Sequence, residues 1–220
     1  MKKLVAMILV ILMMLSVLTF ACAEEVFSDM PPIPENIAAQ IGDLPTSLDQ
    51  LSEDCDWQFM LKLCDTIKPT DAVKALVENG VYTFAIEDGW ELEWCRLEWQ
   101  EEENGYYQGK DVKMTVSDGL VTLEVDPPKD MYSSNIVLSV NDYQVDGHVG
   151  DDEFSFIDKY FDDMDTDDAI VECELSLQHP QHEFEYSLYV FGEDADTWEA
   201  AQKWYVYFDE DGQMLRHSYE

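Results

Sequence analysis

The sequence predicts a mainly β, α+β protein. Two N-terminal helices precede an antiparallel meander of about nine strands, forming a curved sheet, a barrel or a sandwich. Three observations carry this. Apolar residues recur every three or four positions between Leu48 and Val77, and every second position afterwards. Turn signals such as Asp88-Gly89, Ser117-Asp118-Gly119 and Asp209-Glu210-Asp211-Gly212 follow at short intervals. Such intervals suit antiparallel pairing, because parallel strands need long crossovers. The chain also keeps 6 Trp, 11 Tyr and 10 Phe beside its many acids, an aromatic content that disordered acidic chains lack.

The chain opens with Lys2 and Lys3, an apolar run from Leu4 to Phe20, and the small-residue pattern Ala21-Cys22-Ala23. A positive flank, an apolar centre and small residues two apart make a secretory leader. Residues 1–23 are therefore expected to be a signal peptide cleaved after Ala23, with the product secreted or held at a bacterial envelope. A lipid anchor on Cys22 is the lesser alternative, since Thr19 stands where a lipobox usually carries Leu. Pro31, Pro32 and Pro34 mark residues 24–42 as a flexible linker. Residues 43–220 are expected to form a single β-rich domain.

Leu48, Leu51, Cys55, Phe59, Leu63 and Ile67 lie on one helical face, and Pro69 is expected to stop that helix. Thr70 then caps a second helix whose apolar stripe is Ala72, Val73, Leu76 and Val77 and which Asn79-Gly80 ends. Val81 to Ile86 reads as a strand, turned by Asp88-Gly89 into a partner running from Trp90 to about Gln100. Trp90, Leu92 and Trp94 have one parity and Cys95, Leu97 and Trp99 the other, so a β-bulge is expected near Trp94-Cys95. Glu101 to Gln108 reads as a loop. Val112 to Val125 reads as a hairpin, and Pro127-Pro128 breaks the sheet. Ile136, Leu138 and Val140 start another strand, and Asn141 to Gly150 reads as turn-rich. Phe154, Ile157, Lys159, Tyr160 and Phe161 suggest one short helix, followed by an acidic loop. Strands then resume at Ile170–Leu177, Phe184–Phe191, Trp204–Phe208 and Met214–Tyr219.

Charge bounds the function. There are 12 Lys+Arg against 48 Asp+Glu, a formal charge of −36. That field repels phosphates and anionic lipid, so neither nucleic acid nor an anionic membrane surface is an expected partner. Cations, or an extracellular ligand or protein, fit better. Cys55, Cys64, Cys95 and Cys173 follow the leader, and an even number outside the cytosol predicts disulfides. A Cys55–Cys64 bridge is disfavoured, because nine helical residues span roughly 13 Å against the ~6 Å a bridge allows. The alternative is four buried thiols.

Candidate sites are few. The stretch from Asp163 to Glu174 resembles the calcium loop of EF-hand proteins over twelve residues. Asp163, Asp165 and Asp167 hold the first, third and fifth positions, Ile170 the apolar eighth and Glu174 the twelfth. The resemblance implies a calcium ion held by Asp163, Asp165, Asp167 and Glu174. Asp168 replaces the usual glycine, and the residues after Ile170 alternate as a strand, where an EF-hand has a helix. His179 and His182 form an H-x-x-H pair at a turn, with no further ligand nearby in sequence. Trp90, Trp94 and Trp99 offer either an aromatic ligand face or part of the core. There is no G-x-S-x-G, phosphate-binding glycine loop or H-E-x-x-H. The reading is an exported acidic binding or interaction module with no assigned catalytic residue. A carboxylate-dependent hydrolase and a non-catalytic envelope accessory protein are the alternatives.

Overall fold

The computed structural model describes residues 26–51, 54–149, 154–165, 170–191 and 202–220. Among them are three α-helices, α1 (Glu35–Ile41), α2 (Trp57–Ile67) and α3 (Pro69–Asn79). Twelve strands follow: β1 (Val81–Ala85), β2 (Leu92–Gln100), β3 (Gln108–Asp111), β4 (Lys113–Ser117), β5 (Leu120–Glu124), β6 (Ser133–Val140), β7 (Tyr143–Val149), β8 (Phe154–Asp165), β9 (Ile170–His179), β10 (Glu183–Phe191), β11 (Gln202–Phe208) and β12 (Met214–Tyr219). Nine of these build one sheet, in the order β12-β11-β10-β9-β8-β7-β6-β2-β3. β1, β5 and β4 build a second. The large sheet ends on β12 and β3. It is not closed, which removes the barrel alternative and leaves an α+β curved sheet or sandwich.

The apolar face between Leu48 and Ile67 is split. Leu48–Leu51 forms a 3-10 turn, and α2 starts only at Trp57. There the Asp56 carboxylate accepts the Phe59 N–H at 3.0 Å, satisfying one of the amides that a helix start leaves unpaired. Pro69 does not act as a stop. Lys68 takes the left-handed conformation, closes α2 with its N–H on Cys64 O, and leaves Pro69 as the first residue of α3. Proline is at home there because that amide has no helical partner. Thr70 is therefore inside α3 and is not its cap. In the stretch expected to be a flexible linker, α1 forms and buries Ile37. Just before α1, Pro31 O accepts the Trp204 indole N–H at 3.0 Å.

The expected β1–β2 hairpin does not form. β1 pairs with β5, from Val81↔Glu124 to Ala85↔Leu120, and the chain crosses from one sheet to the other between Glu87 and Glu91. Gly80 makes this possible. Its φ of 74° ends α3, and a Cβ there would lie 2.5 Å from Val125 O. Only glycine tolerates both conditions. A bulge is present, but just before the expected place: the register against β6 shifts between Leu92 and Trp94, which leaves Trp94 exposed while Cys95 is buried. The hairpin β4–β5 is as expected. Three strands lie outside the nine that the sequence predicts: β3, β7 and β8. β3 lies at the end of the presumed loop. β7 follows β6 through Asn141-Asp142, both with positive φ (52° and 65°), as a two-residue hairpin turn requires.

The expected helix around Phe154–Phe161 is instead part of β8. Its aromatic spacing imitates a helical stripe, but Ile157 is fully buried in the core, whereas its neighbours Phe156 and Asp158 pair with Asp146 and Gln144 on the opposite face.

The helices cover one face of the large sheet. Leu63, Ile67 and Leu76 meet Leu138, Val145, Ile157, Leu175 and Leu177 in a core where all are 1% exposed or less. Each such side chain contributes roughly 1.5–3 kcal/mol. Trp57 meets Phe184 edge-on at 5.8 Å between centroids. Gly147 lets α3 approach β7, since a Cβ there would fall 2.6 Å from Pro69 Cβ. The cysteines join this core as buried thiols and not as bridges: Cys55 before α2, Cys64 on α2, Cys95 on β2 and Cys173 on β9. No disulfide occurs among the described residues. Burial pushes the Cys55 thiol up to about 11 and those of Cys64 and Cys95 up to about 12, so all three stay protonated at neutral pH. No helix among the described residues is long and apolar enough to cross a membrane.

Candidate functional site

Strand alternation sorts the large sheet into two faces. On β9, Val171, Cys173, Leu175 and Leu177 point into the helix-covered core, and Glu172, Glu174 and Ser176 point the other way. Antiparallel register then aligns neighbours across that second face. One row runs Tyr160, Glu174, Ser187, Tyr205. The adjacent row runs Asp158, Ser176, Glu185, Tyr207 and reaches Arg216. The result is a surface of alternating phenols, hydroxyls and carboxylates.

Its hydrogen bonds are mutual. Ser176 Oγ donates to Glu174 Oε1 at 3.2 Å, and Ser187 Oγ donates to Glu185 Oε1 at 3.1 Å. The Tyr160 hydroxyl also bonds to Glu174, and that of Tyr207 to Glu185. The rings of Tyr205 and Tyr207 stack at 6.5 Å, and Tyr189 meets Tyr205 edge-on at 6.2 Å. At the rim, the Arg216 guanidinium carbon lies 3.9 Å above the Tyr207 ring. Its Nη1 donates to Glu183 Oε2 at 2.8 Å.

Electrostatically, Asp158 is the outlier. It is 8% exposed, and its Oδ1 has no hydrogen-bond partner. Burial, and then the charges of Glu174 and Asp146, push its carboxyl up to about 7. Asp146 rises to about 6, mainly through burial, against a hydrogen bond from Asn135. Glu174 is also raised, by burial first, although Ser176 and Tyr160 both donate to it. Three carboxyls on one face thus hold protons more tightly than free ones.

The residues singled out in sequence fare differently. Asp163 and Asp165 lie on β8 opposite Glu172 and Ile170, and Glu174 lies on β9 opposite Tyr160. The twelve positions therefore straddle a β-hairpin, with no helix after the acidic run. Asp167 lies outside the described residues. The three tryptophans do not share a face. Trp90 is half-buried against Phe59 at 5.3 Å, Trp94 is 41% exposed, and Trp99 is buried with its Nε1 unpartnered.

His179 and His182 are joined by partners remote in sequence. His182 Nε2 lies 3.0 Å from Asp65 Oδ1 on α2, and its Nδ1 lies 3.6 Å from Glu210 Oε2 in the β11–β12 turn. The pair itself was legible as H-x-x-H; Asp65 and Glu210 were not. Of the tyrosine-carboxylate face, sequence reasoning found Glu174 alone. The available signal was the outward alternation of Glu172-Glu174-Ser176 and of Tyr205-Tyr207.

An open antiparallel sheet with one apolar and one acidic, tyrosine-lined face is the class this architecture defines. No known protein family matches the chain, and no curated protein or solved structure matches it either.

Proposed function

We propose that this protein is an exported acidic binding module whose tyrosine- and carboxylate-lined face takes a basic ligand, one that presents ammonium or guanidinium groups. The observation that carries the reading is Asp158, a buried carboxyl with an unpartnered oxygen, set among Glu174, Ser176 and tyrosine rings. A cation beside it would supply the missing partner and favour ionisation. Arg216 supports the choice of ligand: this face already holds one guanidinium between an aromatic ring and a carboxylate. The overall charge of −36 would draw such a ligand in.

Spermine, as an ammonium-bearing probe, tests this by calorimetry at neutral pH. Binding is expected to weaken with salt and to fall at least tenfold in Asp158→Asn/Glu174→Gln. The same loss in the exposed-loop variant Glu101→Gln/Glu103→Gln would reduce the effect to general acidity. A carboxylate-dependent hydrolase is the second reading, favoured by the electrostatic coupling of Asp158 to Glu174, with burial pushing both carboxyls up. It requires turnover of a chromogenic glycoside that Asp158→Asn abolishes.

A further inference from the structure

We infer that Asp65, His179 and His182 form a binding site for a zinc-like divalent transition metal, with Glu210 as the outer carboxylate that orients His182. One ligand atom from each of the three residues lies within 4.8 Å of the others. A tetrahedral zinc with bonds of about 2.0–2.2 Å places its ligands roughly 3.4 Å apart. The 3.0 Å separation of His182 Nε2 and Asp65 Oδ1 needs only a few tenths of an ångström of opening. The His179 ligand atom already lies within 4.8 Å of the other two, and its ring meets that of His182 at 5.9 Å and 69°.

Three features distinguish this cluster from a surface ion pair. The donors come from separate parts of the fold: the last turn of α2, the end of β9 and the turn that follows it. Both nitrogens of His182 are engaged, Nε2 toward the shared centre and Nδ1 toward Glu210. At 3.6 Å the Glu210 carboxylate needs only a small approach to accept the Nδ1 proton, the outer contact that sets the tautomer of a metal-bound imidazole. The backbone of His182 is also pinned, with φ of 51° and its N–H on Gln178 O at 2.8 Å. The turn that joins β9 to β10 thus holds His182 in one backbone conformation.

Two imidazoles and one carboxylate select zinc or copper over calcium or magnesium, which prefer all-oxygen shells. Three protein ligands leave one coordination position for solvent. Asp65 is 60% exposed at its side chain and His182 26%, so that position faces water.

The test is calorimetric titration of zinc chloride into the folded chain, with excess magnesium occupying the other carboxylates. One zinc per chain is expected, at micromolar affinity or tighter. His179→Ala and Asp65→Asn should each weaken it at least tenfold, and Glu210→Gln roughly tenfold or more. Cobalt should give the intense visible absorption of a four-coordinate site, and His179→Ala should lose it. Equal zinc affinity in wild type and His179→Ala/His182→Ala, or binding that magnesium abolishes, overturns the proposal. Should a variant fail to fold, the imidazole ¹⁵N resonances of the wild type decide. Zinc must shift those of both His179 and His182, and unmoved resonances overturn the site.

Discussion

Removing the charge of Asp158 should make the protein more stable, and by an amount that grows with pH. The Asp158 carboxyl titrates near 7 in the folded chain, against 3.8 when free. The folded chain therefore holds this proton more tightly than the unfolded one. Stability contributed by the neutral form is complete below 3.8 and is lost as pH rises to about 7, levelling above. The full displacement corresponds to about 4 kcal/mol, and the part between pH 5 and pH 7 to about 3 kcal/mol. Asp158→Asn keeps the shape and removes the ionisation. Urea unfolding at pH 5 and pH 8 should show the variant gaining on wild type by about 3 kcal/mol across that interval. The interval stays clear of the isoelectric point near 4.1, where association interferes. Glu103→Gln, in an exposed loop, removes the same formal charge and should gain little. Parallel pH profiles for wild type and Asp158→Asn, or an equal gain in Glu103→Gln, would refute the reasoning.

The four core cysteines should resist a thiol reagent in the native protein at pH 8 and all react in denaturant, because burial raises the thiols of Cys55, Cys64 and Cys95. A reductant should leave the melting temperature unchanged, and a fall would show a disulfide. Gly147→Ala should cost about 1–3 kcal/mol or more, since its Cβ meets Pro69 backbone atoms at 2.8 and 2.9 Å. Gly109→Ala should cost less than about 1 kcal/mol, because the nearest atoms to its Cβ belong to the half-exposed guanidinium end of Arg96, a side chain that can shift. Equal losses in thermal melts of the two variants would contradict that distinction.

Local periodicity was readable where one face is apolar and the other polar. Val171 to Leu177 and Trp204 to Phe208 declare themselves as strands because every second residue must enter the core. Reading failed where spacing is ambiguous or pairing is long-range. Phe154, Ile157 and Phe161 mimic a helical stripe. Nothing near Val81–Ala85 reveals that its ladder partner lies beyond β4 and not across Asp88-Gly89. The same limit hid the sites. Asp65 reaches His182 across 117 residues, and Tyr160, Glu174 and Tyr205 become neighbours only once register is set. The disulfide expectation failed for a different reason: a small apolar thiol satisfies a core position as well as a bridge does.

The central claim is that Asp158 waits, protonated in part at neutral pH, for a cation on an acidic, tyrosine-lined face. Carbon-13 titration of its carboxyl, with and without saturating spermine, tests this most directly. A midpoint near 7 that falls when spermine is added is the predicted result. A midpoint near the free value, or one that spermine leaves in place, would contradict the account.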